Sequence, residues 1–253
     1  MIIAPSRTTL DVHVEPDFDA MSRLGAAAVV SSLAELDHSN GRRLNVVFSA
    51  GRTPTRVYDL LATDFRGECD WSRVSLFQMD EYVDAPEAVE SFGRYLARRV
   101  VEPLGISDAH LLPVGLAGMH EKSWTAAIRD HERKLLARGG IDLVVHGIGE
   151  NGHLGFNEPG SAPTSVGRVV PLSSSTRAAI SPGPAPTRGV TLGLAPLLAA
   201  RESILLASGS AKAQAIAAAL EGAVSADCPA SWLRLGPKIT VIIDRVAAGK
   251  LRA

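Results

Sequence analysis

Short apolar runs alternate with longer amphipathic stretches along this sequence, and that alternation narrows the folds open to it more than any other feature. The runs Leu44–Ser49, Val74–Met79, Ile141–His146, Glu202–Ser208 and Lys238–Asp244 have strand length and are rich in Val, Ile and Leu. Around them lie Met21–Glu35, Thr53–Thr63, Glu87–Val101, Glu121–Ala137 and Ala211–Leu220, where apolar residues return at helical spacing. Strand followed by helix followed by strand indicates βαβ units, whose crossovers place helices on both faces of a mainly parallel sheet. The expected fold is therefore α/β, a Rossmann-like doubly wound sheet with flanking helices. No Pro/Gly/Ser linker divides the 253 residues, so a single domain over 1–253 is expected. Pro159–Arg188 interrupts the rhythm: it is rich in Ser, Thr, Pro and Gly, and its run SPGPAPTRG argues against a regular element. It reads as a long flexible loop or lid over about 159–188.

Composition removes several kinds of partner. The 26 Lys and Arg residues balance 27 Asp and Glu, for a formal net charge of −1. Nothing electrostatic then favours nucleic acid or an anionic membrane surface. With 46% hydrophobic and 21% charged residues the chain can bury a sizeable core and is not a disordered segment. No apolar run reaches the roughly 18 residues needed to cross a bilayer, and MIIAPSRTTL lacks the features of a secretory signal, so a cytoplasmic location is expected. Cys69 and Cys228 are too few for a disulfide framework, and no His, Cys, Asp or Glu grouping has zinc-site spacing. Neither a metal nor a cofactor is expected. Assembly stays open, a homo-oligomer included.

Ligands of open α/β sheets bind beyond the carboxyl ends of the strands, so the residues after each strand are the candidates. Ser49-Ala-Gly51-Arg52-Thr53-Pro54 is a small-residue turn into a helix; its free N–H groups and the Ser49 and Thr53 hydroxyls suit a phosphate, although an ordinary cap is an equal reading. Asp80 and Glu81 follow an apolar run, where a partly desolvated carboxylate becomes a general base or merely caps a turn. Gly147, Gly149 and Gly152 match the spacing of a dinucleotide fingerprint, but Pro159 follows closely and no acid occurs in Ser161–Ile180, which argues against one. These glycines instead suit a tight loop that brings His153 and Glu158 together, a pair able to shuttle protons near neutral pH. His146 falls inside a strand and reads as a core residue. Arg177 and Lys212 are cations near loop and helix starts, where an anionic ligand explains them better than helix stability does.

Taken together, SAGRTPTRVYDLL, FQMDEYV, GIGENGHLGFNEPGS, STR, GVTLGLAPLLAARESILLASGSAKAQA and PASWLRLGPKITVIID resemble the glucosamine-6-phosphate deaminase (isomerase) family, which shares its fold with 6-phosphogluconolactonase. The resemblance runs from about Asn45 to Asp244. It implies ring opening of an amino sugar phosphate, proton transfer from C2 to C1 and release of ammonia. His153 would move the ring-opening proton with Glu158 and Asn151 as partners, and Asp80 would carry the C2 proton. Gly51, Thr53, Arg177 and Lys212 would hold the phosphate, with Ser49, Arg52, Glu81 and Gly152 as further contacts. Many members have Asp where this chain has Asn151, so Glu158 alone would supply negative charge to the imidazolium. The effector-controlled forms have a longer C-terminal segment than the LRA ending here; allosteric control is not expected, and Arg168 reads as a residual effector contact.

Three alternatives share the same residues. A galactosamine-6-phosphate deaminase differs by one hydroxyl. A 6-phosphogluconolactonase needs the same phosphate grip, but the NEP closing the loop favours the deaminase. A sugar-phosphate sensor of a transcription regulator needs a helix-turn-helix segment with a basic cluster, which the region before Leu44 does not offer.

Overall fold

The computed structural model describes residues 9–37, 41–87, 89–107, 110–116, 118–180 and 185–252. An edge strand, β1 (Thr9–Glu15), opens it, and Asp17 starts the first helix by accepting the Ala20 N–H at 2.9 Å. Helix α1 (Phe18–Leu36) is followed by β2 (Leu44–Phe48), α2 (Arg52–Ala62), β3 (Val74–Gln78) and β4 (Asp80–Tyr82). Next come α3 (Phe92–Leu96), α4 (Glu102–Leu104), β5 (Leu111–Leu112), α5 (Glu121–Ala137) and β6 (Leu143–Gly147). The remainder holds β7 (Arg168–Pro171), α6 (Ser174–Ile180), β8 (Arg188–Thr191), α7 (Leu194–Leu198), β9 (Glu202–Ala207), α8 (Ala213–Leu220) and β10 (Lys238–Asp244). No described helix is long and apolar enough to cross a membrane.

Seven strands form one sheet in the order β1-β10-β9-β6-β2-β3-β5, every neighbouring pair parallel. This is the α/β architecture that the alternating pattern implies. From β2 the chain builds outward through β3 to β5, then returns to β6 on the other side of β2 and builds the opposite way. That reversal leaves a crevice beyond the carboxyl ends of β2 and β6. Strands buried on both faces read as continuous apolar runs, and every residue of β2, β3 and β9 is buried. Val46, Leu76, Leu143 and Val145 pack with α1 and α2, whereas Val47, Phe77 and Val144 pack with Ile128 and Leu135 of α5. At roughly 1.5–3 kcal/mol for each fully buried aliphatic side chain, these layers hold the strand ends firmly in place.

A second sheet, β4-β8-β7, is antiparallel and sets Asp80 opposite Thr191. Its short strands lie outside the continuous apolar runs, and two of them correct the expectation for Pro159–Arg188. That stretch contains all of β7 and α6, and Arg188 opens β8 opposite Pro171. These elements have only 4, 7 and 4 residues, too few for periodicity to stand out against the Ser, Thr and Pro around them. Within SPGPAPTRG, residues 181–184 lie outside the described residues, and Gly189 pairs with Val170.

The helix expected over Glu87–Val101 starts later. Residue 88 lies outside the described residues, and the described helix begins at Phe92. Capping sets this start: Ser91 Oγ accepts the Arg94 N–H at 3.2 Å, and the Glu81 carboxylate accepts the Phe92 and Gly93 N–H groups at 3.0 and 2.9 Å. The helix then widens into a π turn over Ala97–Val101.

Candidate active site

The crevice at the strand reversal is a cleft of about 810 Å³. Loops after β2, β6 and β9, three adjacent strands, meet there with the start of β4. Ser49, Gly51, Arg52, Thr53, Asp80, His153 and Lys212 all line it, as the sequence leads one to expect of residues at strand ends. The Ser49 Oγ also accepts the Gly147 N–H at 3.0 Å, which ties the β2 and β6 loops together across the crevice.

One side of the cleft suits an anion. No described side chain caps α2, so its first N–H groups are left for a ligand beside the Thr53 hydroxyl. Arg52 and Lys212 face the same space. Burial pushes the Lys212 ammonium down from its usual range, the nearby Glu150 opposes that, and Arg52 adds to it. A bound dianion would relieve this unfavourable placement of two cations.

The same cleft also carries titratable groups. Asp80 is buried, and burial first and the Glu81 charge second push its carboxyl well above the ordinary range. His153 lines the same cleft from the β6 loop, where Gly149 donates its N–H to the His153 carbonyl at 3.0 Å. The imidazole lies over Gly149, and any Cβ there would collide with the ring. Gly152, at φ 85°, leaves no room for a side chain either: a Cβ would stand 2.6 Å from Cys228 Sγ. The glycines thus serve close packing of a loop, and no helix follows them.

Behind His153 lies a polar network. Asn151 Oδ1 is 2.8 Å from His153 Nδ1, and because an amide oxygen only accepts, a proton sits on Nδ1, so the neutral ring presents its lone pair at Nε2. Asn151 Nδ2 donates to Glu158 Oε2 at 2.7 Å, and that oxygen is 3.4 Å from His153 Nδ1. Burial alone would raise the Glu158 carboxyl, but hydrogen bonds with His153, Thr176 and Asn151 outweigh it and hold the group down at about 2. Arg168, far from free for an effector, donates to Asn157 Oδ1 and Ser161 Oγ, both at 2.9 Å, and so braces the loop on either side of Glu158. His146 is a fully buried core residue, pushed down to about 3 by burial.

Several expected contacts stand elsewhere. Glu81 does not line the cleft; its carboxylate points to the start of α3, whose N–H groups it satisfies. Gly152 packs against Cys228 instead of facing the cleft. Arg177 is exposed and outside the lining, because the face of α6 turned to the cleft presents Ser175, Thr176 and Ala179. Asn151 and Glu158 stand behind His153, in contact with its ring, and do not form the cleft wall.

Two residues escaped the sequence reading. Thr176 donates to Glu158 Oε1 at 2.6 Å; its signal was its place in STR, where the arginine drew attention. Tyr95 lines the cleft and its hydroxyl donates to the Gly51 carbonyl at 3.1 Å, with nothing in the sequence to separate it from any helical Tyr. Among the described residues no three of His, Cys, Asp and Glu are grouped to hold a metal ion.

Known proteins resemble this one along nearly its whole length. Glucosamine-6-phosphate deaminase of Streptomyces avermitilis is 39% identical over 96% of this chain and 93% of its own. The protein of the same name from Halothermothrix orenii is 37% identical over 95% and 99%. A solved monomeric glucosamine-6-phosphate deaminase superposes with a TM-score of 0.85 at 28% identity, covering 95% of this chain and 99% of that one. The 6-phosphogluconolactonase of Trypanosoma brucei, at 19% identity, shares the fold with a TM-score of 0.76 over 97% and 99% of the two chains. Residues 16–242 match the family described as glucosamine-6-phosphate isomerases/6-phosphogluconolactonase, and the chain belongs to that family.

Proposed function

We propose that this protein is a glucosamine-6-phosphate deaminase, converting glucosamine 6-phosphate and water to fructose 6-phosphate and ammonia. The observation that carries the reading is that one cleft holds a buried carboxyl at Asp80, an imidazole at His153 whose Nδ1 is engaged by Asn151, and the cations and helix start at Arg52, Thr53 and Lys212 suited to an anion. The names of the relatives support the same reaction.

The phosphate binds at the α2 start, with Gly51 and Thr53 beneath it and Arg52 and Lys212 around it. That anchor places the sugar's reacting carbons between Asp80 and His153. Neutral His153 takes the proton of the C1 hydroxyl at Nε2 and returns it to the ring oxygen, which opens the ring. Asn151 keeps the ring nitrogens in the required tautomer, and Glu158 stabilises the imidazolium formed in passing. Ionised Asp80 then removes the C2 proton to give an enolamine and delivers it to C1, while one amine proton passes to the C1 oxygen, leaving a hydroxymethyl group at C1 and an imine at C2. Water adds to that imine and ammonia departs. A carboxylate in a buried site is a stronger base than one in water, which suits a proton bound to carbon. A phosphorylated sugar does not cross membranes unaided, which supports a cytoplasmic place for the reaction.

The test is ammonia release from glucosamine 6-phosphate, beside galactosamine 6-phosphate and a 6-phosphogluconolactone hydrolysis assay. Ammonia from glucosamine 6-phosphate is the expected result. Lactone hydrolysis without ammonia from either sugar contradicts the reading.

A further inference from the structure

His153 Nδ1 has three acceptors around it, Asn151 Oδ1 at 2.8 Å, Thr176 Oγ1 at 3.3 Å and Glu158 Oε2 at 3.4 Å, so its direct contact with the carboxylate is long and the groups bonded to both decide how the charge reaches the ring. Asn151 is one such group. Thr176, from α6, is placed as another. Its Oγ1 stands 3.3 Å from His153 Nδ1 and 2.6 Å from Glu158 Oε1, and the residue is buried. Ser173 fixes its proton inventory: the Ser173 hydroxyl donates to Thr176 Oγ1 at 3.0 Å, so the single Thr176 proton is left for Glu158. Ser173 also donates its backbone N–H to Glu158 Oε1 at 3.2 Å.

We propose that Thr176 is a positioning residue for ring opening: its hydroxyl shares the His153 Nδ1–H with Asn151 as the second, longer acceptor and donates to Glu158, forming a second neutral bridge between imidazole and carboxylate. With Asn at 151 the carboxylate's charge acts on the imidazolium only through such bridges and across the 3.4 Å gap. Two acceptors on the same nitrogen also restrain the ring more than one flexible amide would alone. Because Thr176 rides on α6, whose Ala179 lines the same cleft, the helix that walls the substrate also sets the ring. The hydrogen bond from Thr176 is among the causes that hold the Glu158 carboxyl low, which agrees with this geometry.

This inference rests on the deaminase reading, and two measurements keep their failures apart. The first is kcat and KM for ammonia release by the native protein, Thr176→Val and Thr176→Ser. Thr176→Val keeps the shape and removes the hydroxyl; kcat should fall by about tenfold or more with KM within about twofold, while Thr176→Ser stays within about threefold of native. The second needs no turnover: a 13C NMR titration of the Glu158 carboxyl in the ligand-free proteins. In Thr176→Val the carboxyl should titrate at higher pH than in the native protein, and in Thr176→Ser at the native pH. Unchanged titration in Thr176→Val, or a loss confined to KM, overturns the bridge. A native protein that releases no ammonia overturns the deaminase reading instead, and the titration still decides whether Thr176 bridges the pair.

Discussion

Asp80 and Glu81 are chain neighbours whose carboxylates have opposite surroundings. Asp80 faces the cleft, and only burial and its neighbour's charge act on its carboxyl. Glu81 turns inward and accepts hydrogen bonds from Gln78 Nε2 at 2.8 Å and from the N–H groups of Tyr82, Phe92 and Gly93 at 2.9, 3.0 and 2.9 Å. One faces the cleft, whereas the other is engaged in holding α3 against β4.

This contrast gives Asp80 a stability cost. Its folded pKa is raised, so the neutral acid favours the fold; that contribution is complete below the ordinary value of 3.8 and is lost as pH rises through the folded value. Asp80→Asn should therefore melt above the native protein at about pH 8, by about 2–4 °C for each kcal/mol relieved, while losing turnover. The gap should narrow as pH falls toward about 4. Thermal melts across that range check it; a variant less stable than native at pH 8 is the contrary result.

Glu81→Ala should cost about 2–4 kcal/mol in denaturant unfolding, since buried N–H groups at the start of α3 lose their acceptor. KM should rise as well, because Phe92 and Tyr95 of that helix line the cleft. A change below about 0.5 kcal/mol would show that the cap is dispensable.

Tyr95→Phe removes the hydroxyl that reaches the Gly51 carbonyl and sits 2.7 Å from Thr55 Oγ1. The loop after β2, the proposed phosphate contact, keeps its fold but loses a strut, so KM for the sugar phosphate should rise about fivefold with kcat nearly unchanged. Steady-state kinetics read both values, and a fall in kcat alone would place Tyr95 in the proton chemistry instead.

Much of this arrangement was legible in the sequence, for reasons that differ by residue. Asp80, His153 and Lys212 stand just past strands whose apolar runs are unmistakable, and topology brings such ends together. Glu81 was misread because adjacent carboxylates look alike until the backbone shows which faces the cleft. Arg177 carries the charge that marks an anion contact in sequence, whereas the seven-residue α6 leaves it exposed and buries Thr176. Strand β1 alternates Leu10, Val12 and Val14 with polar residues at an exposed edge, a pattern that a search for continuous apolar runs passes over.

Glu158→Gln keeps the shape of the side chain and removes its charge. The folded pKa of Glu158 is lowered to about 2, so its stabilising contribution is present above the ordinary 4.5 and lost as pH falls through about 2. The variant should be less stable than native at neutral pH, with the difference vanishing in acid. Turnover should fall by about a hundredfold or more with KM little changed, since the imidazolium loses its counter-charge. Near-native turnover would remove Glu158 from the mechanism.

The central claim is that Asp80 carries the proton between C2 and C1, and hydrogen exchange at C2 tests it most directly. Glucosamine 6-phosphate deuterated at C2 would be incubated with the native protein and with Asp80→Asn, and the label followed by NMR. The native protein should move the deuterium to C1 or lose it to solvent as ammonia forms, whereas Asp80→Asn should bind the sugar and leave the label at C2. Loss of the C2 label at the native rate in Asp80→Asn would contradict the assignment of Asp80 as the base.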